Sequence, residues 1–290
     1  MPVNPDTAIQ ASKMLAPDGW QDARVTAQTL AQGAKRTGFI PVRRSFVQIL
    51  TGDSRSQPPM SQIVSRPGGG AVTIKLYLAL IWKTSSGPPF STQIRAAKWA
   101  ELLGLVDPPK QGKRRISAAL ERLEEMHLIS RTDVPGDTAV VELKDEAGKL
   151  LRSGQPREYV LPYDALQRSK GKHRNPNRNW YFKVPARLWT ERAEIQQMSP
   201  AALAMLLAYL NEYRPEQPEV WWSTNAFPER YQISSSMRTR GTRELVNLGL
   251  LNIRKKSVGR PGVARSFTTE RVRNAYVGTR RLLSYLADKN

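Results

Sequence analysis

Two stretches of this chain, residues 90–143 and 221–269, repeat one order of elements: a short apolar strand, a small helix, a longer helix studded with Arg, and a basic or Gly-containing hairpin. A period above 100 residues duplicates whole folding units, which excludes a solenoid of short repeats. The chain of 290 residues is long enough for two such units, each with its own core.

The second stretch is the clearer. Trp221-Trp222 reads as a strand, residues 224–231 as a helix, Gln232-Ile233 as a turn, and Ser234 as the N-cap of a helix that ends at Gly249. Met237, Gly241, Leu245 and Leu248 recur at helical spacing and pack inward, which turns Ser235, Ser236, Thr239, Arg240 and Arg243 outward. Leu250-Leu251-Asn252-Ile253 then leaves as a strand. Arg254-Lys255-Lys256 and Val258-Gly259-Arg260-Pro261-Gly262 make a hairpin with a cationic tip, and Ser266-Phe267-Thr268 returns.

The first stretch keeps the mechanics with other residues. Leu123-x-x-Met126-His127-Leu128-Ile129 stands against Leu245-x-x-Leu248-Gly249-Leu250-Leu251, and Ala119 stands where Gly241 does. Lys113, Arg114 and Arg115 supply a basic helix entry, while the hairpin tip Val134-Pro135-Gly136-Asp137 carries an acid and no base. Upstream of each copy, Phe39-Ile40-Pro41-Val42-Arg43-Arg44-Ser45-Phe46 resembles Tyr181-Phe182-Lys183-Val184-Pro185-Ala186-Arg187-Leu188, and each leads to an apolar helix, over 71–83 and 199–214. Ser199-Pro200 is a strong helix start.

The plan read from these residues is α+β, mainly helical: two winged helices in tandem, each a helix-turn-helix with a β-hairpin wing. The divisions are an N-terminal polar arm or helix over 1–38, a first unit over 39–166, a basic linker over 167–179, and a second unit over 180–290 that ends in a short helix. Residues 51–70, rich in Pro, Gly and Ser, read as a loop, and residues 271–278 as a further strand.

Charge points to the partner. The formal net charge is +20 and the pI about 10.5, so the chain is drawn to polyanions, of which nucleic acid is the commonest. From residue 232 to 290 there are 13 Lys and Arg against three acids, which concentrates the basic excess on the second unit. The linker cations Lys170, Lys172, Arg174 and Arg178 fit a path along a phosphate backbone or a solvated tether.

A helix that enters the major groove needs short polar or cationic side chains that reach base edges, and Arg paired to guanine is the commonest specific contact. Ser235, Ser236, Thr239, Arg240 and Arg243 meet that need, and Lys255, Lys256 and Arg260 on the wing suit phosphate or the minor groove. Lys113, Arg114 and Arg115 suit DNA contact or an interface between copies equally, so a homodimer through the first unit is compatible with the plan.

Catalytic patterns are thin. Disulfides and Cys-ligated zinc are excluded by the lack of cysteine, and the two histidines, His127 and His173, are isolated from each other. No phosphate-binding loop follows Gly68-Gly69-Gly70. The expectation is a non-enzymatic protein with neither metal nor cofactor, no membrane partner, and a cytoplasmic location, since residues 1–6 have neither the cationic start nor the apolar run of a signal peptide.

In pattern and domain order, residues 39–270 resemble the plasmid replication initiators built from two winged helices. That resemblance implies sequence-specific binding of double-stranded DNA at origin repeats, with one copy mainly dimerising and the other mainly gripping DNA. The same fold also serves transcriptional repressors and partition adaptors, and a basic face alone serves RNA-binding or protein-interaction modules.

Overall fold

The computed structural model describes residues 18–34, 38–50, 57–66, 68, 70–84, 87–169, 179–258 and 271–287. It is α+β, with helices predominating over three small antiparallel sheets.

The first half opens with helix α1 (Asp18–Gln32), strand β1 (Phe39–Arg43) and the short helices α2 (Arg44–Val47) and α3 (Pro59–Ser65). It continues with α4 (Gly70–Lys83), β2 (Ser91–Thr92), α5 (Ala96–Leu102), a π-helical turn (Pro108–Gly112), α6 (Lys113–Glu125), β3 (Ile129–Thr132), β4 (Val140–Leu143) and α7 (Pro162–Ser169). The second half follows the same order: β5 (Tyr181–Pro185), α8 (Arg187–Thr190), α9 (Glu194–Gln197), α10 (Pro200–Glu212), β6 (Glu219–Val220), α11 (Ala226–Tyr231), α12 (Ser235–Asn247), β7 (Leu251–Val258), β8 (Arg271–Gly278) and α13 (Arg280–Ala287).

Helices α4 and α10 are apolar on nearly every side and almost wholly buried, as expected of central rather than surface helices. Ser199 caps α10 as its sequence requires, its hydroxyl accepting from the Ala202 N–H with Pro200 at the first helical position.

The ends of α6 and α12 close alike. In α6 the amides of Met126, His127 and Leu128 donate to the carbonyls of Arg122, Glu124 and Leu123; in α12 those of Leu248, Gly249 and Leu250 donate to Glu244, Val246 and Leu245. His127 and Gly249 hold the same left-handed turn, at φ of 58° and 65°.

Each small sheet places the returning hairpin strand in the middle, in the orders β2-β4-β3 and β6-β8-β7. Three local features differ from the sequence expectation. The strand expected at Trp221-Trp222 is Glu219–Val220, because Trp222 turns into an aromatic cluster with Phe227, Tyr231 and Tyr276. The stretch read as loop contains helix α3, whose Met60, Ile63 and Val64 bury one helical face. The strand that pairs with β7 is residues 271–278; Ser266-Phe267-Thr268, Arg260 and the linker residues Lys170, Lys172, Arg174 and Arg178 lie outside the described residues.

The two opening strands pair with each other. In the antiparallel β1–β5 register Pro41 faces Lys183, and these are also the third residues of the two corresponding segments, so a local two-fold axis passes between them. Around this seam the buried residues of both halves form one continuous core from Ala27 to Tyr285, with the rings of Trp82 and Trp189 tilted against each other, centroids 6.0 Å apart. Helix α1 braces the seam: Trp20 lies against Gly104, and Gln28 Nε2 donates to the Thr190 carbonyl at 2.9 Å.

A buried ion pair ties β1 to the loop after β4. Glu146 accepts from the Arg43 amide at 2.7 Å and from its guanidinium at 2.9 Å, and Arg43 donates further to the Val160 carbonyl.

Candidate nucleic-acid interface

Helix α12 carries the second-half candidates. Gln232 takes a left-handed conformation that ends α11, and Ser234 then caps α12 through its hydroxyl, which accepts from the Met237 N–H at 3.3 Å. The inner stripe packs on α10 so closely that a Cβ on Gly241 would lie 2.1 Å from the Ala201 carbonyl oxygen.

The outer stripe, Ser235, Ser236, Thr239, Arg240 and Arg243, is exposed throughout. Glu244, the only acid between Ser234 and Gly249, is turned away from that stripe. Its carboxylate accepts from the Ser199 amide at 2.7 Å and from the Ser199 hydroxyl, at the positive end of α10. The exposed side of α12 therefore presents cations and hydroxyls without an acid among them.

Between α12 and the β7–β8 hairpin opens a cleft of about 920 Å³. Ser235, Thr239, Thr242, Arg243 and Val246 form its helical wall, and Ile253, Val272, Arg273, Asn274 and Tyr276 its sheet wall. Ser236 and Arg240 sit one stripe further round the helix, outside the cleft and facing solvent.

Side chains alternate along a strand, so Lys255 shares the cleft-side face with Ile253, while Arg254 and Lys256 take the opposite face. There Lys256 Nζ lies 3.1 Å from Glu219, and Arg254 3.6 Å from the same carboxylate. The two wing lysines named together from the sequence thus point to different sides of the sheet.

Sequence reading passed over Arg238. Its guanidinium lies over the rings of Trp222, Phe227 and Tyr276 at 5.5, 4.6 and 5.5 Å, and its Nε donates to the Tyr276 hydroxyl at 3.1 Å. The box fixes an arginine at the floor of the cleft. Spacing alone could flag Arg238 as one turn before Thr242, but its three aromatic partners come from separate segments.

In the first half Lys113 and Arg114 line a shallower groove of about 510 Å³ together with Lys110, Ser117 and Glu121, while Arg115 is exposed beside it. The hairpin there is short, its Asp137 carboxylate accepts from the Thr138 amide, and Arg131 is paired to Glu124 at 2.6 Å. This hairpin carries less free positive charge than the second.

Helix α4, which packs against α6, buries Lys75, whose Nζ donates to the Gln196 carbonyl at 2.6 Å. Burial pushes its ammonium down to about 7; Glu244 pulls it back up in part, and Arg115 presses it lower.

Among the described residues no cluster of His, Asp and Glu has the grouping that would hold a metal ion, and no helix is long and apolar enough to cross a membrane. Comparison of the chain with protein-family models, with curated proteins and with solved structures finds no match.

Proposed function

We propose that the protein binds double-stranded DNA sequence-specifically through two winged helices in tandem, in the manner of a plasmid or phage replication initiator at origin repeats. Each half runs helix, short strand, helix, helix and hairpin, the order of a winged helix, with α6 and α12 as the recognition helices.

One observation carries the reading: the exposed side of α12 bears Ser235, Ser236, Thr239, Arg240 and Arg243, while its single acid is spent on capping α10. An ordinary solvated helix face mixes signs to form i,i+4 pairs; a groove-reading face needs donors and positive charge. In this reading Arg243 and Thr239 meet base edges, Lys255 clamps the backbone from the sheet side, and Arg238 holds the cleft floor in register. The first half, with Lys110, Lys113 and Arg114 in a shallower groove, adds a second contact or an interface to another copy.

The test is selection of random duplex DNA on the purified protein at physiological salt, followed by sequencing. A repeated or palindromic motif is the expected result, and its spacing reports how many recognition helices engage. Recovery of no motif, with equal retention of all sequences, would leave only generic attraction between polyanion and protein and overturn the reading.

A further inference from the structure

The cleft between α12 and the β7–β8 hairpin combines two chemistries. On its walls Val246 from the helix and Ile253 and Val272 from the sheet are 37%, 45% and 56% exposed. Branched aliphatic side chains gathered in one cleft are unfavourable while they meet only water, and a phosphodiester backbone gains nothing from covering them.

The floor is polar. Arg238 is held there by the rings of Trp222, Phe227 and Tyr276, and the bond from Nε to the Tyr276 hydroxyl is its only hydrogen bond among the described residues. Two buried side chains that also line the cleft have polar atoms without a partner: Thr242, 5% exposed, through Oγ1, and Trp222, 6% exposed, through Nε1. Buried polar groups in native proteins nearly always have a partner, so two orphans lining one cleft point to an occupant.

The lining sets the class of that occupant. A volume of about 920 Å³ is in the range that takes a small molecule. A guanidinium fixed in orientation fits the two oxygens of a carboxylate, and the orphan hydroxyl and indole N–H add donors for the same group. The three aliphatic side chains suit a hydrocarbon body.

We infer that this cleft is a binding site for a small aliphatic carboxylate, its head group at Arg238, Thr242 and Trp222 and its hydrocarbon body against Val246, Ile253 and Val272. The site goes beyond the duplex reading and does not rest on it, since Ser236 and Arg240 of the outer stripe face solvent outside the cleft.

The experiment is isothermal titration of the full chain with octanoate at neutral pH and physiological salt, without DNA. Saturable binding of one octanoate per chain is expected, with octanol, which has the same chain and no charge, bound roughly tenfold more weakly or worse. Arg238→Gln is expected to weaken octanoate binding by about tenfold or more, the loss of a charge-assisted pair. Because Arg238 also holds the aromatic box together, Val272→Glu is the second variant: it alters an exposed side chain, leaves the box intact, and sets a like charge beside the hydrocarbon body, with a similar weakening expected. Absence of saturable binding, several weak sites per chain, octanol bound as well as octanoate, or Val272→Glu binding octanoate like the wild type would each overturn the inference. Failure here leaves the duplex reading as it was, and failure of the duplex selection leaves this site as it was.

Discussion

Glu244 and Ser199 are bonded twice: one carboxylate oxygen of Glu244 takes the Ser199 amide at 2.7 Å and the other takes its hydroxyl. The one acid of α12 is thereby kept off its exposed cationic stripe and instead fixes that helix to the start of α10. Charge-assisted bonds of this kind contribute about 1.5–3 kcal/mol each at most, so Glu244→Ala should lower the unfolding free energy by roughly that amount. Denaturant titration with an unchanged m-value is the check.

Gly241→Ala should reverse the usual helix rule. In an open helix the change gains about 1 kcal/mol, but here the new Cβ would meet the Ala201 carbonyl oxygen at 2.1 Å and force α10 and α12 apart. The expected outcome is a loss of about 1–3 kcal/mol or more, set against a loss of about 1 kcal/mol for Ala119→Gly at the corresponding place in α6. A stabilised Gly241→Ala protein would show that the two helices are not held this close.

Lys75 predicts a pH dependence. Its folded-state value, about 7, lies below the ordinary lysine value of 10.5 that the unfolded chain has, so between those limits the unfolded state binds more protons and stability rises with pH. Below about pH 7 the full penalty of burying the ammonium is present. Lys75→Met, similar in volume and uncharged, should raise Tm by a few degrees at pH 6 to 7, and the gain should shrink towards pH 10 as the wild type sheds its proton. Thermal melts of both proteins across that range read the difference directly, since every other titrating group is common to the two.

The wing lysines should separate in duplex binding. Lys255→Ala should reduce the slope of log affinity against log salt by about one unit, the loss of one phosphate contact. Lys256→Ala should change that slope less, because Lys256 points to the far face and is paired to Glu219. Arg243→Ala should cost about 1–3 kcal/mol on the selected sequence and relax preference at one base pair, a pattern that binding measured across single-base variants can distinguish from uniform weakening.

What was legible in the sequence was what is decided locally. Ser199-Pro200 and Ser234 announce helix starts, and both hydroxyls accept the backbone amides that caps are there to satisfy. The likeness of Leu123-x-x-Met126-His127-Leu128 to Leu245-x-x-Leu248-Gly249-Leu250 foretells helix ends that close with the same three hydrogen bonds. Pairing between distant segments is another matter: which strand returns beside β7 depends on a register set by residues 271–278, and nothing local marks it. The same holds at the candidate site, where the outward stripe of α12 follows from helical spacing but the box around Arg238 needs Trp222, Phe227 and Tyr276 from three separate segments.

The pairing of β1 with β5 about Pro41 and Lys183 has a mechanical consequence. Two units joined only by a tether can adjust their separation to whatever they hold; two units sewn together through a shared ladder and one core cannot. The chain is a caliper of fixed gauge. Any duplex held by α6 and α12 at once must offer its two contact points at a single distance and a single helical phase, and an insertion of half a helical turn between them should break the grip of one helix while leaving the other in place.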